Sequence, residues 1–326
     1  MTVTIHHILE QFRQEATSTR DLGDKFEHLI LAYLRTDPRY AELFKRVYLW
    51  MDFPLRNGKG DLGIDLVAEE RATGDYWAIQ CKCYQPDHVL DKKDIDSFFT
   101  ASGKAPFKHR LIVTTCGWGK NAEDALKNQH IPVDRLTLYD LDQSPVDWSQ
   151  VSSQNLRYAV QSVSTSIDAD DLETRPAPVL PLKPKKSIRP HQSMALDRVM
   201  AGFATGDRGK LIMACGTGKT YTALQIAERF AIEKGSATVL FLVPSISLLS
   251  QTLREWSAEA TVKLQSIAVC SDAKVSKKSD TEDMSARDLA FPATTDVDAI
   301  VGRYQALNLQ VPLYKGDLAI VLNVKA

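Results

Sequence analysis

The sequence predicts an α/β protein of two domains, the second built on a parallel, doubly wound sheet around a phosphate-binding loop. Three observations lead there. Residues 213–220 form a glycine-rich run between an apolar stretch and a helical stripe. Short β-rich runs alternate with helical ones throughout. A proline-rich stretch, RPAPVLPLKPKK, parts the two halves.

In chain order, residues 5–35 read as helical, with Phe26, Leu29, Ile30, Tyr33 and Leu34 at helix spacing. From Tyr48 the texture turns to short β runs at 64–68, 76–84 and 111–115, with helices near 92–101 and 121–128. This αβββαβ order predicts a first domain over residues 1–150. Residues 151–187 are rich in Ser, Gln and Thr and then in Pro, and predict a semi-extended linker. Its KPKK run is either a solvated charge or a contact for a phosphate backbone. The second domain, 188–326, opens with a helix near 192–204 and a strand at 210–214. The glycine loop, a helix to Phe230, a strand at 238–243 and a helix near 247–256 follow.

The chain has 326 residues, and about 150 residues per domain gives two. With 40 basic against 41 acidic residues, a global charge argument for nucleic acid is excluded, so any such contact is local. The five cysteines contain no CxxC pair, which argues against a zinc ribbon or a disulfide framework. With no signal-like N-terminus and no apolar run near the ~20 residues of a membrane helix, the expectation is a cytoplasmic protein.

The loop reads MACGTGKT. Gly216 and Gly218 let backbone amides turn toward an anion, and the following helix offers its free N-terminal amides. With Thr217 in the loop, Lys219 is expected at the β/γ-phosphates and Thr220 at Mg²⁺, so ATP and Mg²⁺ are the expected cofactors. Ala223, Ile226, Ala227, Phe230 and Ala231 predict the buried stripe behind the loop, and Gly235 its end. Met213 stands where the strict pattern has Gly.

The first domain holds a second constellation. RNGKGDLGID places Asp65 after a glycine-rich turn, and YWAIQCKCY follows. Strand alternation gives Gln80, Lys82 and Tyr84 one exposed face and Ile79, Cys81 and Cys83 an apolar one. Metal-assisted phosphodiester cleavage needs oxygen ligands and a cation near the developing charge. Asp65 and Gln80 can ligate metal and Lys82 can supply the cation. By spacing alone, Asp-x14-Gln-x-Lys equally describes a half-exposed strand. Asp61 is a competing carboxylate whose place suggests turn chemistry.

These motifs resemble known families. Residues 21–150 resemble the Mrr-type branch of the PD-(D/E)xK nucleases in Phe26-Glu27, Gly63-Ile64-Asp65, Gln80-Cys81-Lys82 and IVTTCGWGKNAEDAL. The resemblance implies a restriction-endonuclease-like αβ domain in which Glu27 joins Asp65, Gln80 and Lys82 as a catalytic residue. Residues 188–256 resemble the first, RecA-like motor domain of superfamily 2 helicases in IRPHQ, ACGTGKT and VPSISLLSQTLREW. That resemblance assigns Gln192 to adenine. Ser245 and Ser247 stand either as helix caps or as phosphate contacts.

Nuclease, linker and motor in this order resemble the N-terminal part of type ISP restriction–modification enzymes. The resemblance implies double-stranded DNA as partner, and a second motor lobe, a methyltransferase and a target-recognition module beyond this chain. No acidic pair follows the apolar run 318–322, so the motor domain is expected to be incomplete, a truncated or frameshifted product that binds ATP without turning it over. Three readings stand: a fragment of an ATP-dependent restriction endonuclease, a repair or processing helicase fragment, and a non-catalytic ATP- and DNA-binding remnant.

Overall fold

The computed structural model describes residues 3–58, 60, 63–127, 129–152, 156, 180–270, 289, 291–310 and 317–324. It divides into two compact units, Met1–Lys183 and Pro184–Ala326. Among the described residues no helix is long and apolar enough to cross a membrane.

The first unit opens with α1 (Ile5–Glu15), α2 (Thr19–Thr36) and α3 (Pro38–Leu43). Ser18 caps α2 by accepting from the Asp21 amide, and Asp37 ends it and caps α3. The sheet contains β1 (Phe44–Leu49), β2 (Leu66–Glu70), β3 (Tyr76–Lys82), β5 (Phe107–Thr114) and β7 (Val133–Thr137), in the order β1-β2-β3-β5-β7. The first three strands are antiparallel and the last three parallel. Such a mixed sheet follows from the connections. A tight turn joins β2 to β3, whereas α4 (Asp96–Ser102) and α5 (Lys120–Leu126) carry the crossovers. A small pair, β4 (Val89–Leu90) with β6 (Gly117–Trp118), adjoins them, and α6 (Leu138–Asp142) closes the domain.

Val67, Ala78 and Ile112 pack on one face with Phe98, Ala122 and Leu126. Leu66, Ile79 and Leu111 alternate with them and are equally buried. Helix α2 packs against β1 and β3. A buried ion pair anchors its end. Arg39 donates to both Asp37 oxygens at 3.0 Å and to the Tyr33 hydroxyl at 2.9 Å. Trp148 is a packing residue, buried, stacked on Tyr33 and donating from Nε1 to the Leu141 carbonyl.

The stretch expected to be linker is partly docked. Leu180 donates to Thr36, and Leu182 bridges Val146, so 180–183 belong to the first unit. The lysines of KPKK are exposed, and each also reaches a protein carbonyl or carboxylate. Lys183 reaches the Ser144 carbonyl, Lys185 the Ala260 carbonyl, and Lys186 both Glu255 and Glu259.

The second unit comprises α7 (Pro190–Phe203), α8 (Lys219–Lys234), β8 (Ser236–Val243), α9 (Ile246–Glu259), β9 (Leu264–Val269), α10 (Val297–Gln310) and β10 (Asp317–Val324). Its sheet is parallel, as expected, in the order β8-β10-β9. The expected strand at 210–214 does not form. Those residues pair with none of the three strands, and Ile212 is 91% exposed. The stripe of α8 differs accordingly. Ala227 and Ala231 are buried, but Ala223 and Ile226 are only half-buried and Phe230 is exposed, while Tyr221 and Leu224 take the inner positions. An amphipathic face is buried only where a neighbour meets it.

Candidate active site

The first unit's site forms where β2 begins and β3 ends. The β2–β3 ladder pairs Leu66 with Ile79 and Val67 with Ala78. Asp65 continues it, donating its amide to the Ile79 carbonyl and accepting at Oδ2 from the Cys81 amide at 2.6 Å. The carboxylate is thus held beside the strand that carries Gln80 and Lys82. Trp50 fixes the preceding turn, its amide donating to the Asp65 carbonyl and its indole to Gly60.

Gln80 is not on an exposed face. It is 1% exposed, across from Ile112 on the packed face of the sheet. The reason is the crossover through α4, which covers the face that alternation alone left open. Its Nε2 donates to the Gly63 carbonyl at 3.0 Å, and its Oε1 is buried with no hydrogen-bond partner among the described residues. A buried acceptor left unmade costs about 1–3 kcal/mol, so this oxygen stands out. Tyr84 lies beyond the strand end, where its amide and carbonyl both engage the Thr115 hydroxyl.

Burial, and then the charges of Asp65 and Glu27, push the Cys81 thiol well up. Burial likewise raises Cys83, to about 11. Neither cysteine belongs to the buried core, but both thiols stay protonated at neutral pH. Asp61 lies outside the described residues. Among the described residues no group of three or more His, Cys, Asp or Glu is disposed to hold a metal. The donor set here is a mixed one, the Asp65 carboxylate with the unsatisfied Gln80 carbonyl, and hard oxygen donors of that kind suit Mg²⁺.

In the second unit, Gly216 and Gly218 adopt φ of 75° and 81°, the left-handed region the loop needs. Lys219 begins α8 and points its Nζ back to the Met213 carbonyl at 3.5 Å. Gln192 is buried, with both ends engaged. Oε1 accepts from the Arg189 amide, and Nε2 donates to the Thr217 carbonyl at 3.1 Å. A Cβ at position 218 would collide with that Nε2. Ser245 caps α9 by accepting from the Leu248 amide. Trp256, which the sequence did not single out, donates to the Thr220 carbonyl at 2.9 Å and ties α9 to the loop helix.

Residues 35–157 match the family model described as restriction endonuclease, of the Mrr catalytic type. Residues 185–320 match the family of the type III restriction enzyme res subunit. The chain joins an Mrr-type nuclease domain to a ResIII helicase domain. Its structure is similar to that of the DNA-bound, ATP-dependent type ISP restriction-modification enzyme LlaBIII, with TM-score 0.77 and 32% identity over 99% of this chain and 18% of LlaBIII. It is also similar to the EcoAI endonuclease subunit, a type I restriction enzyme of Escherichia coli, at 41% identity over 68 residues, which are 21% of this chain and 8% of that subunit. The chain therefore spans a minor part of the length of both. The nuclease domain contains Glu27, Asp65, Gln80 and Lys82 within or beside its matched range, and the helicase domain contains Gln192 and the loop 213–220.

Proposed function

We propose that this chain is the nuclease and first motor segment of an ATP-dependent DNA restriction endonuclease, in which Mg²⁺-dependent phosphodiester cleavage at Asp65, Gln80 and Lys82 is coupled to ATP-driven movement on double-stranded DNA. The observation that carries this reading is the Gln80 Oε1, buried and unsatisfied beside a carboxylate fixed by a backbone amide. Asp65 and Gln80 would hold Mg²⁺, with Glu27 approaching from α2. The ion, when bound, polarises the phosphodiester and offsets its charge. Lys82 carries the protein's own part in the reaction. Its ammonium orients the attacking water and donates to phosphoryl oxygens as negative charge builds, an electrostatic role worth ~10²–10³ in rate at comparable sites. The buried Gln80 and Ile112 keep bulk water from the inner side of the site.

In the motor domain, Gly216, Thr217, Gly218 and Lys219 would cradle the ATP phosphates and Thr220 would face their Mg²⁺. Recognition of adenine by Gln192 requires it to exchange one of its present partners, Arg189 or Thr217. A second motor lobe, a methyltransferase and a target-recognition module in the longer protein would supply site selection.

Supercoiled plasmid incubated with Mg²⁺ tests the nuclease reading. The wild-type chain is expected to yield open circles, and Lys82→Ala to yield few or none. If the two proteins nick equally, or neither nicks at high protein concentration, the reading fails.

A further inference from the structure

The carbonyl of Gly63 has two unusual properties. It belongs to a residue with φ of 81°, and it is the acceptor for the Gln80 amide nitrogen. The position is tightly closed. A Cβ on residue 63 would lie 2.8 Å from Ser97 Oγ and 3.3 Å from Ser97 Cβ on α4, besides requiring a backbone conformation that side chains disfavour. Gly63 can therefore sit against α4 and present its carbonyl to β3 only as glycine.

An amide side chain has two chemically different ends, one donor and one acceptor. Which end faces a ligand depends on what holds the other. At Gln80 the nitrogen is held by Gly63, which leaves the oxygen as the other end, buried and without a partner among the described residues. A carboxylate at position 80 has no donor, so one of its oxygens would be pressed against the Gly63 carbonyl at the distance of a hydrogen bond with no proton between them. In a buried setting that juxtaposition is strongly unfavourable.

We propose that Gly63 is a positioning residue. By taking the Gln80 amide nitrogen it turns the Gln80 oxygen into the metal site, and it makes glutamine rather than glutamate the working residue at position 80. This inference rests on the nuclease reading of the site.

The test uses the full chain without DNA, with Mg²⁺ as the probe in calorimetry and selectively labelled glutamine side chains in NMR. In wild type the Gln80 NH₂ protons should exchange slowly with solvent before and after Mg²⁺ is added, while the Gln80 Cδ resonance shifts on addition. Gly63→Ala should weaken Mg²⁺ binding about tenfold or more, the usual consequence of losing a group that orients a ligand. Gln80→Glu should bind Mg²⁺ no more tightly than wild type, despite its added negative charge. Should Gly63→Ala fail to fold, the Gln80→Glu affinity and the wild-type spectra decide alone. Fast exchange of the Gln80 NH₂, or tighter binding by Gln80→Glu, overturns the positioning role while leaving the nuclease reading intact. No Mg²⁺ binding and no Cδ shift in wild type overturns both.

Discussion

The two units treat their polar groups in opposite ways. In the nuclease domain the candidate ligands are fixed in advance. Asp65 is tied to the Cys81 amide and Gln80 to the Gly63 carbonyl, on a five-stranded sheet whose central strands are covered. In the motor domain the loop 213–220 is largely exposed, and its sheet leaves Ile212 and Leu240 open at 91% and 62%. The difference teaches where each site's order comes from. A metal site of mixed donors depends on the packing beneath it, whereas a phosphate loop depends on backbone amides and on the anion that gathers them.

The largest effect that would sharpen this contrast is Lys82→Ala, expected to lower Mg²⁺-dependent nicking by about 10²–10³ with little change in melting. A matching loss of stability would instead make Lys82 structural. Next comes Arg39→Ala, which leaves Asp37 buried and unpaired. It should destabilise the first unit by about 3–5 kcal/mol. Chemical denaturation followed by Trp fluorescence should show that loss, with the second unit's transition unmoved.

Lys219→Ala should abolish the thermal shift that ATP gives the second unit, a stabilisation of about 2.7 kcal/mol at a hundredfold excess over Kd. Calorimetric Mg²⁺ binding at the nuclease site should be unaffected, and a parallel loss there would break the comparison. The cysteines offer a gentler probe. Cys215 is exposed in the loop, whereas burial pushes the Cys83 thiol up to about 11. At pH 8 roughly one Cys83 in a thousand is thiolate, rising tenfold per pH unit toward 11. Iodoacetamide should therefore label Cys215 first at pH 8 and Cys83 only as the pH climbs, with ATP protecting Cys215, as peptide mass mapping would show. The smallest expected effect is Ser245→Ala, the loss of one helix cap, worth about 1 kcal/mol in the second unit.

The expected pattern of elements carried over well where periodicity was strong, as in α2, β3 and α9. It failed at 210–214, where the run stays exposed and pairs with none of the three described strands, so apolar composition alone did not make a strand. Gln80 shows the same limit within the site. Alternation correctly grouped it with Lys82, but whether that face was open depended on α4, which is remote in sequence. The lysines of the KPKK run were ambiguous for a related reason, since the partners Glu255, Glu259 and Ala260 lie 69, 73 and 75 residues away.

What the sequence determined by itself was local chemistry. Glycines at 216 and 218, followed by Lys219 and Thr220, specify a phosphate loop because the backbone conformation and helix start are encoded within eight residues. The order of nuclease and motor segments was legible only through the resemblance of their motifs to known families. Only the tertiary structure decided that Gln80 is buried, that its nitrogen is held by Gly63 and that its oxygen meets no partner among the described residues. Those facts depend on a strand, a turn and a crossover helix meeting at one point, and no spacing within a single chain segment records such a meeting.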